Sequence, residues 1–421
     1  LKMDAHARRV ETGSHAIMEI QLEKIVHGGD AMGYAPDGRP VFVPFAAPGD
    51  RARVEVREEH KGFLRARLRE VIEPSAQRVK PPCRHYGECG GCQLQHLDYP
   101  FQLAAKEKIL REQFLRLGGI PDPPVRPVIP SPSAWNYRNH VQFTPAPERR
   151  LGFFRAESHT VMPVEECHLP ESRLVDLWNR LDWEPFPGLR QIGLRAASDE
   201  EMIVFESDTG EPPETIVESP VSVALLGPQG EAVYLAGGPL RFEISGMPFT
   251  VSAGSFFQVN SAQIPVLVDF VMEMADPRKG AVVLDVYCGV GLFSAFLADR
   301  AARVIGIEES LSAVGDFEIN LDALDTVELY AAPAETALEA ISLRPDTAVV
   351  DPPRNGMTPR AMRALLKMAP SCIMMVSCEM ATLARDARLL TGAGYRLAAV
   401  APIDMFPQTS HLETVSRWQK E

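Results

Sequence analysis

Leu284-Asp285-Val286-Tyr287-Cys288-Gly289-Val290-Gly291-Leu292-Phe293-Ser294 reads as the end of an apolar strand, a Gly-x-Gly turn and the first turn of a helix. Glycines in such a turn let a ligand approach the backbone, and the helix N-terminus offers unpaired N–H groups. On both sides of this stretch the pattern alternates between strand and helix. Strands are predicted at 281–286, 303–307, 327–330, 347–350 and 372–376, with helical segments between them. That order implies a doubly wound, Rossmann-like α/β domain with a mainly parallel sheet. Thr358-Pro359 reads as an N-cap followed by a first-turn proline.

The same domain carries the candidate chemistry. Ile307-Glu308 puts an acid at the end of the second strand, about 20 residues past the turn, where ribose hydroxyls are held. A nicotinamide enzyme would carry a third glycine where Ser294 stands, so S-adenosylmethionine is the better cofactor. Gly289 and Gly291 are its candidate contacts, and Cys288 reads as a small buried residue. Asp351-Pro352-Pro353-Arg354 holds an acid in a stiff turn at the carboxyl edge of the sheet, where ligands bind. Ser377-Cys378 ends the fifth strand, just before a helix predicted at 381–390. A thiol at a helix N-terminus has its thiolate stabilised. Cys372 lies inside the strand and reads as core. In Phe406-Pro407-Gln408-Thr409-Ser410-His411-Leu412-Glu413, a His and a carboxylate stand two apart, and either can serve as a base.

The remaining chain is different in character. At 421 residues, two to four domains are expected. With 45% hydrophobic and 24% charged residues, disorder and collagen-like repeats are excluded. No apolar run reaches the roughly 18 residues of a membrane span, so no membrane partner is expected. The formal charge of −13 argues against nucleic acid when the chain is taken whole. Residues 1–170, however, hold 24 Lys and Arg against 21 Asp and Glu, so the acidity belongs to the rear. Seven cysteines without a signal-peptide pattern imply reduced thiols, metal or catalysis, and a cytoplasmic monomer is expected.

Residues 1–15 read as an expression remnant or frayed terminus around Gly13-Ser14-His15. Residues 16–74 form the first domain, with short strands at 17–26, 40–45, 51–57 and 63–71. These suggest a small barrel of oligonucleotide-binding type. Arg65, Arg67 and Arg69 alternate with apolar residues and so share one face, either a solvated surface or a phosphate-contacting stripe. Residues 75–250 are read as a cysteine module plus a β-rich central domain, with strands at 140–144, 151–154, 191–196 and 202–206. A helix is predicted at 99–117 with Leu103, Ile109, Leu110, Phe114 and Leu117 near one face, then a Pro-rich linker at 122–132. Residues 251–421 make the α/β domain. In the cysteine module, Cys83-x5-Cys89-x2-Cys92 and the distant Cys167 suit either zinc or an iron–sulfur cluster, and His168 reads as a neighbour of the ligands.

Taken together, these residues resemble a known family. Cys83 with Gly87-Glu88-Cys89-Gly90-Gly91-Cys92-Gln93, Phe256-Phe257-Gln258-Val259-Asn260, Asp285–Ser294, Asp351–Arg354, Ser377-Cys378 with Thr382-Leu383-Ala384-Arg385-Asp386, and His411-Leu412-Glu413 carry the likeness. The chain resembles bacterial 23S ribosomal RNA (uracil-5)-methyltransferases that carry a TRAM domain and a [4Fe–4S] cluster. The resemblance implies that Cys83, Cys89, Cys92 and Cys167 hold the cluster. It places Gln258, Tyr287, Glu308 and Asp351 at the cofactor or target-base pocket, with Cys378 as nucleophile and Glu413 as base. The alternatives are the same reaction on transfer RNA, a catalytically silent iron–sulfur RNA-binding or assembly protein, and an iron–sulfur redox enzyme. The sequence departs from the family pattern at Glu379-Met380, where the family usually has Asn-Pro, at Gln408, commonly His, and at Leu292, Asn in some members. A carboxylate at Glu379 is expected to oppose thiolate formation at Cys378.

Overall fold

The computed structural model describes residues 16–211 and 221–421, so the segment read as an expression remnant lies outside the described residues. One compact unit runs up to Lys80 and takes in His96–Asp98; the second comprises Pro81–Gln95 and Tyr99–Glu421.

In the first unit, five strands close into a barrel among the described residues, in the order β1-β2-β3-β5-β4. They are β1 (Ile17–Ile25), β2 (Ala31–Tyr34), β3 (Pro40–Val43), β4 (Arg51–Glu59) and β5 (Leu64–Glu73). Alternation does the work: Ile20, Leu22, Val41, Val43, Ala52, Val54, Leu64 and Ala66 face inward and are buried. The fully buried Asp50 accepts from the Ala47 and Ser75 amides and from Arg78, 2.7 Å away at Nη2, so its charge is paired. Arg65, Arg67 and Arg69 are exposed, as the period predicts. Arg69 pairs with Glu55, and Arg65 lies 3.9 Å from Asp30 and 4.0 Å from Glu58, so acids accompany much of this stripe.

The second unit starts with the cysteine loop and α1 (Tyr99–Gln113), which widens into a π turn over Phe114–Gly118. The expected face of α1 needs correction. Gln102, Ala105, Lys106, Ile109 and Leu110 are buried, Leu103 is only half-buried, and Leu117 is 43% exposed. Two polar side chains displace two leucines because they meet polar partners described below. The stretch read as a linker is no free linker either. Val125 and Ile129 bridge Val400 and Ile403, and proline suits such an edge position.

The central sheet has seven strands among the described residues: β6 (His140–Ala146), β7 (Arg150–Phe154), β8 (Val161–Pro163), β9 (Leu189–Ala197), β10 (Glu200–Ser207), β11 (Ser222–Leu226) and β12 (Ala232–Ala236). Their order is β12-β11-β10-β9-β6-β7-β8. α2 (Ser172–Arg180) packs Leu174 and Leu177 into a core with Phe143, Ile192 and Leu194. A hairpin, β13 (Leu240–Ile244) and β14 (Met247–Val251), precedes α3 (Ile264–Ala275).

The α/β sheet has the order β17-β16-β15-β18-β19-β21-β20. Its parallel strands are β15 (Val282–Val286), β16 (Arg303–Glu308), β17 (Val327–Ala331), β18 (Thr347–Val350) and β19 (Cys372–Ser377), close to the predicted positions. The helices between them are α4 (Leu292–Ala298), α5 (Leu311–Leu321), α6 (Ala334–Ala340) and α7 (Pro359–Met368), and α8 (Met380–Gly392) follows β19. Thr358 caps α7 by accepting from the Ala361 amide at 3.1 Å. The strand order reverses direction between β15 and β18, which opens a crevice at their carboxyl ends. Two antiparallel strands not predicted, β20 (Tyr395–Ile403) and β21 (Glu413–Lys420), complete the sheet.

Candidate active site

The first strand brings Asp285 to the switch point. It is fully buried, accepts from Ser294 Oγ at 2.7 Å through Oδ2, and leaves Oδ1 without a partner. Burial pushes its carboxyl up to about 7. Tyr287 follows with φ +65°, a strained conformation for a non-glycine residue, and its amide donates to Ile307 O. The two glycines divide their labour. A Cβ on Gly289 would meet nothing within 4 Å, whereas one on Gly291 would stand 2.6 Å from Leu321 Cδ1. Gly289 therefore borders open space and Gly291 permits close packing of α4 on α5. Cys288 is buried, as expected, with its Sγ against Gly306.

Glu308 ends β16 with its carboxylate held by three amides: Gly289 on Oε2 at 2.9 Å, and Glu309 and Ser310 on Oε1 at 2.9 and 2.8 Å. An acid at the end of the second strand is the position that meets a ribose diol in dinucleotide-binding folds. Asp351 stands across the crevice, and Gln258 Nε2 donates to its Oδ2 at 3.5 Å. Burial and Asp285 raise Asp351 to about 7. The loop after it is braced by α8: Thr382 Oγ1 donates to Arg354 O, and Arg385 Nη2 donates to Asn355 O.

Cys378 and Glu413 come from adjacent strands, since Ser377 pairs with Thr414. Glu413 is 3% exposed and its Oε1 has no partner. Burial and the facing Asp351 carboxyl raise Glu413 well above the usual range. Cys378 is pushed up to about 12, first by burial, then by Glu413 and Asp351; Arg354 acts in the opposite sense. The expected thiolate stabilisation by the helix terminus is thus overridden. Glu379 has a different part from the one expected. Its side chain accepts from the Ala381 amide at 3.2 Å and caps α8. Arg354, the cation that acts on Cys378, stands in a motif that drew attention for its acid alone.

The cysteine loop docks on the central sheet. Cys89 bridges Arg155, Gly90 N donates to Phe154 O, and Ala156 N donates to Glu88 O. Arg84 N donates to Glu166 Oε1 and Glu165 N donates to His85 Nε2, which draws the segment bearing Cys167 onto the loop. Cys83, Cys89, Cys92 and Cys167 line one cavity of about 300 Å³, together with His168 and the half-buried Arg138. Burial raises Cys92 to about 12 and Cys167 to about 11. Among the described residues, no three His, Cys, Asp or Glu side chains converge closely enough for a single metal ion.

Gln408, where the resemblance leads to a histidine, lies outside the crevice. It is buried, with φ +69°, between α1 and the cysteine loop. Leu292 is core at the start of α4. Neither departure removes a group from the crevice.

A crevice at the switch point of an open sheet, walled by a thiol and carboxyls, suits an enzyme acting on a bound ligand. Comparison with known proteins narrows that class. Residues 240–420 match the family model described as tRNA (Uracil-5-)-methyltransferase, and residues 15–68 match the TRAM domain. An uncharacterized RNA methyltransferase of Halalkalibacterium halodurans is 32% identical, covering 95% of this chain and 96% of its own length. One of Streptomyces coelicolor is also 32% identical, covering 94% and 92%. The crystal structure of the Pyrococcus abyssi tRNA (uracil-54, C5)-methyltransferase with S-adenosyl-L-homocysteine superimposes with a TM-score of 0.73. It is 28% identical and covers 96% of this chain and all of that one. The chain belongs to the RNA (uracil-5-)-methyltransferase family that carries a TRAM domain. Among the described residues, no helix is long and apolar enough to cross a membrane.

Proposed function

We propose that the protein methylates C5 of a specific uridine in 23S ribosomal RNA, using Cys378 as nucleophile and Glu413 as base. The observation that carries this reading is the meeting of Cys378, Glu413 and Asp351 at the switch-point edge. Uracil C5 is a poor nucleophile. Cys378 Sγ gives its proton to water and adds as thiolate to C6, which breaks the C5–C6 double bond and leaves an enolate with electron density on C5. S-adenosylmethionine, when bound, supplies an electrophilic methyl group to that carbon. The open face at Gly289, the amide-held Glu308 and the unpartnered Asp285 Oδ1 fit such a polar ligand. Glu413, as carboxylate, then takes the C5 proton, and Cys378 leaves as thiolate to give 5-methyluridine. Arg354 and Gln258 hold the charge and orientation of Asp351 and Cys378.

The four cysteines border one cavity, and it is the resemblance that makes an iron–sulfur cluster, and not zinc, the reading for them. Cys83, Cys89, Cys92 and Cys167 would hold it. The presence in one chain of the barrel with Arg65, Arg67 and Arg69 and of a four-cysteine module supports ribosomal RNA through the resemblance. The Pyrococcus abyssi structure favours a transfer RNA uridine as the second reading.

The test is to map 5-methyluridine in total RNA treated with the enzyme and labelled cofactor. Label at one site of 23S RNA is expected. Label confined to transfer RNA would replace the substrate, and label in no RNA, with cofactor still bound, would leave a silent RNA-binding protein.

A further inference from the structure

We infer that Gln102 and Gln408 are positioning residues for Glu413, joining α1 and the cysteine loop to the segment that delivers the base. This rests on Glu413 being the base. Gln102 is 1% exposed and Gln408 2% exposed, 306 positions apart, and each satisfies the other. Gln102 Oε1 accepts from the Gln408 amide at 3.1 Å. Gln102 Nε2 donates to Gln408 Oε1 at 3.0 Å and to Leu94 O at 3.1 Å. The Gln408 carbonyl in turn accepts from the amides of Gln93 and Leu94, at 3.1 and 3.0 Å, directly after Cys92. Gln93 Oε1 accepts from Ser410 N at 3.3 Å. The side-chain and backbone bonds together form a clamp across three separate segments.

The rest of the approach to Glu413 is pinned at the same level. One turn along α1, the fully buried Lys106 Nζ donates to Asp404 Oδ1 at 2.7 Å and to Phe406 O at 3.1 Å. Tyr137 OH donates to Pro407 O at 3.0 Å. The chain between Phe406 and Glu413 must bend, and Gln408 takes the left-handed conformation that side chains disfavour. A strained residue persists where its surroundings over-determine it, and such residues gather where a site needs a fixed geometry. Glu413 begins β21 immediately past this bend. The ladder to β20 sets its register, and the clamp sets the angle at which the strand enters. Glu413 Oε1 has no partner, and the bond recorded to its carboxyl comes from the backbone of the next residue, Thr414, so its own strand aims it.

The consequence is specific to one step. Nucleophilic addition depends on Cys378, which sits between β19 and α8, outside the segments the clamp joins. Proton removal depends on Glu413. Loosening the clamp should therefore stall the reaction after methyl transfer. Gln102→Met keeps the volume and removes all three side-chain bonds; Gln102→Glu keeps an acceptor for the Gln408 amide. The assay incubates full-length enzyme, a 23S ribosomal RNA transcript or a transfer RNA transcript, and methyl-labelled S-adenosylmethionine. It reads free 5-methyluridine and labelled RNA covalently attached to protein in denaturing gels, with melting temperature and cofactor affinity as controls.

In Gln102→Met, turnover should fall on the order of 10²-fold, the cost of a misplacement of about 1 Å. Covalent label should accumulate, with cofactor affinity unchanged. Gln102→Glu should fall between this variant and the parent, and it carries the test alone if Gln102→Met does not fold. Glu413→Gln is the reference. If it traps adduct and the Gln102 variants do not, the positioning role is wrong. If Glu413→Gln traps none, the assignment of the base fails, and the inference falls with it. Equal loss of adduct and product in the Gln102 variants would show a merely structural role.

Discussion

The reactivity of Cys378 is the property most exposed to refutation. Its thiol stands near 12 against an ordinary value of 9.0, because it is buried and faces Glu413 and Asp351. The sign is that of a weakened acid: the thiol stays protonated through neutral pH, and the nucleophile forms only as pH rises. At pH 8 about one thiol in 10⁴ is ionised, against about one in ten for an ordinary cysteine. The thiolate of a weaker acid is intrinsically the better nucleophile, by roughly 20-fold over this interval. Alkylation of Cys378 by iodoacetamide should then be about 50-fold slower than that of an ordinary exposed thiol. Its rate should climb tenfold per pH unit from 7 to 10 without a plateau. Peptide mass spectrometry resolves the site from Cys288 and Cys372, whose burial should keep them unmodified in the folded chain. Glu413→Gln removes the largest charged contributor and should move the profile to lower pH. A plateau below pH 10 in the parent enzyme would refute the reasoning. It would mean that the terminus of α8 outweighs burial.

Other consequences follow from single contacts. Glu379→Ala loses the cap of α8 and should cost about 1 kcal/mol in denaturant unfolding, while leaving the Cys378 profile in place. Gly291→Ala forces a methyl group onto Leu321 and should lower the melting temperature; Gly289→Ala should mainly weaken cofactor binding measured by calorimetry. Lys106→Met strands the buried Asp404 carboxylate and should cost about 3–5 kcal/mol, much of it recovered in the double variant with Asp404→Leu. Iron and acid-labile sulfide should be found in protein purified without oxygen and be lost in Cys92→Ser; zinc in their place would overturn the cluster.

The α/β domain was legible because its parallel strands are buried on both faces and read as short apolar runs closed by turn signals. Those runs placed Asp285, Glu308, Asp351 and Cys378 at strand ends, and strand ends in an open parallel sheet converge on one edge. The antiparallel pair at the C-terminus escaped this logic. Tyr395–Ile403 is broken by a bulge and a proline, and Glu413–Lys420 is mostly polar, although Trp418 within it is fully buried. A strand of that composition looks like surface until its neighbours are known.

What remained hidden was polar and long-range. Period and composition assign glutamine and lysine on a helix to solvent, so α1 was rotated onto Leu103 and Leu117. Yet Gln102 and Lys106 lie one turn apart on the face that meets 404–408, and a buried polar group is tolerable only with partners. Those partners are about 300 residues away, and no local rule can supply them. The same limit explains Gln408. Set against a family pattern, it looked like a change in the pocket, whereas its position shows a change in the support behind the pocket. A glutamine can both donate and accept, so it closes a reciprocal pair with Gln102 whatever the pH. A histidine there would change its bonding as it titrates near neutrality. The departure therefore bears on how firmly Glu413, the proposed base, is held.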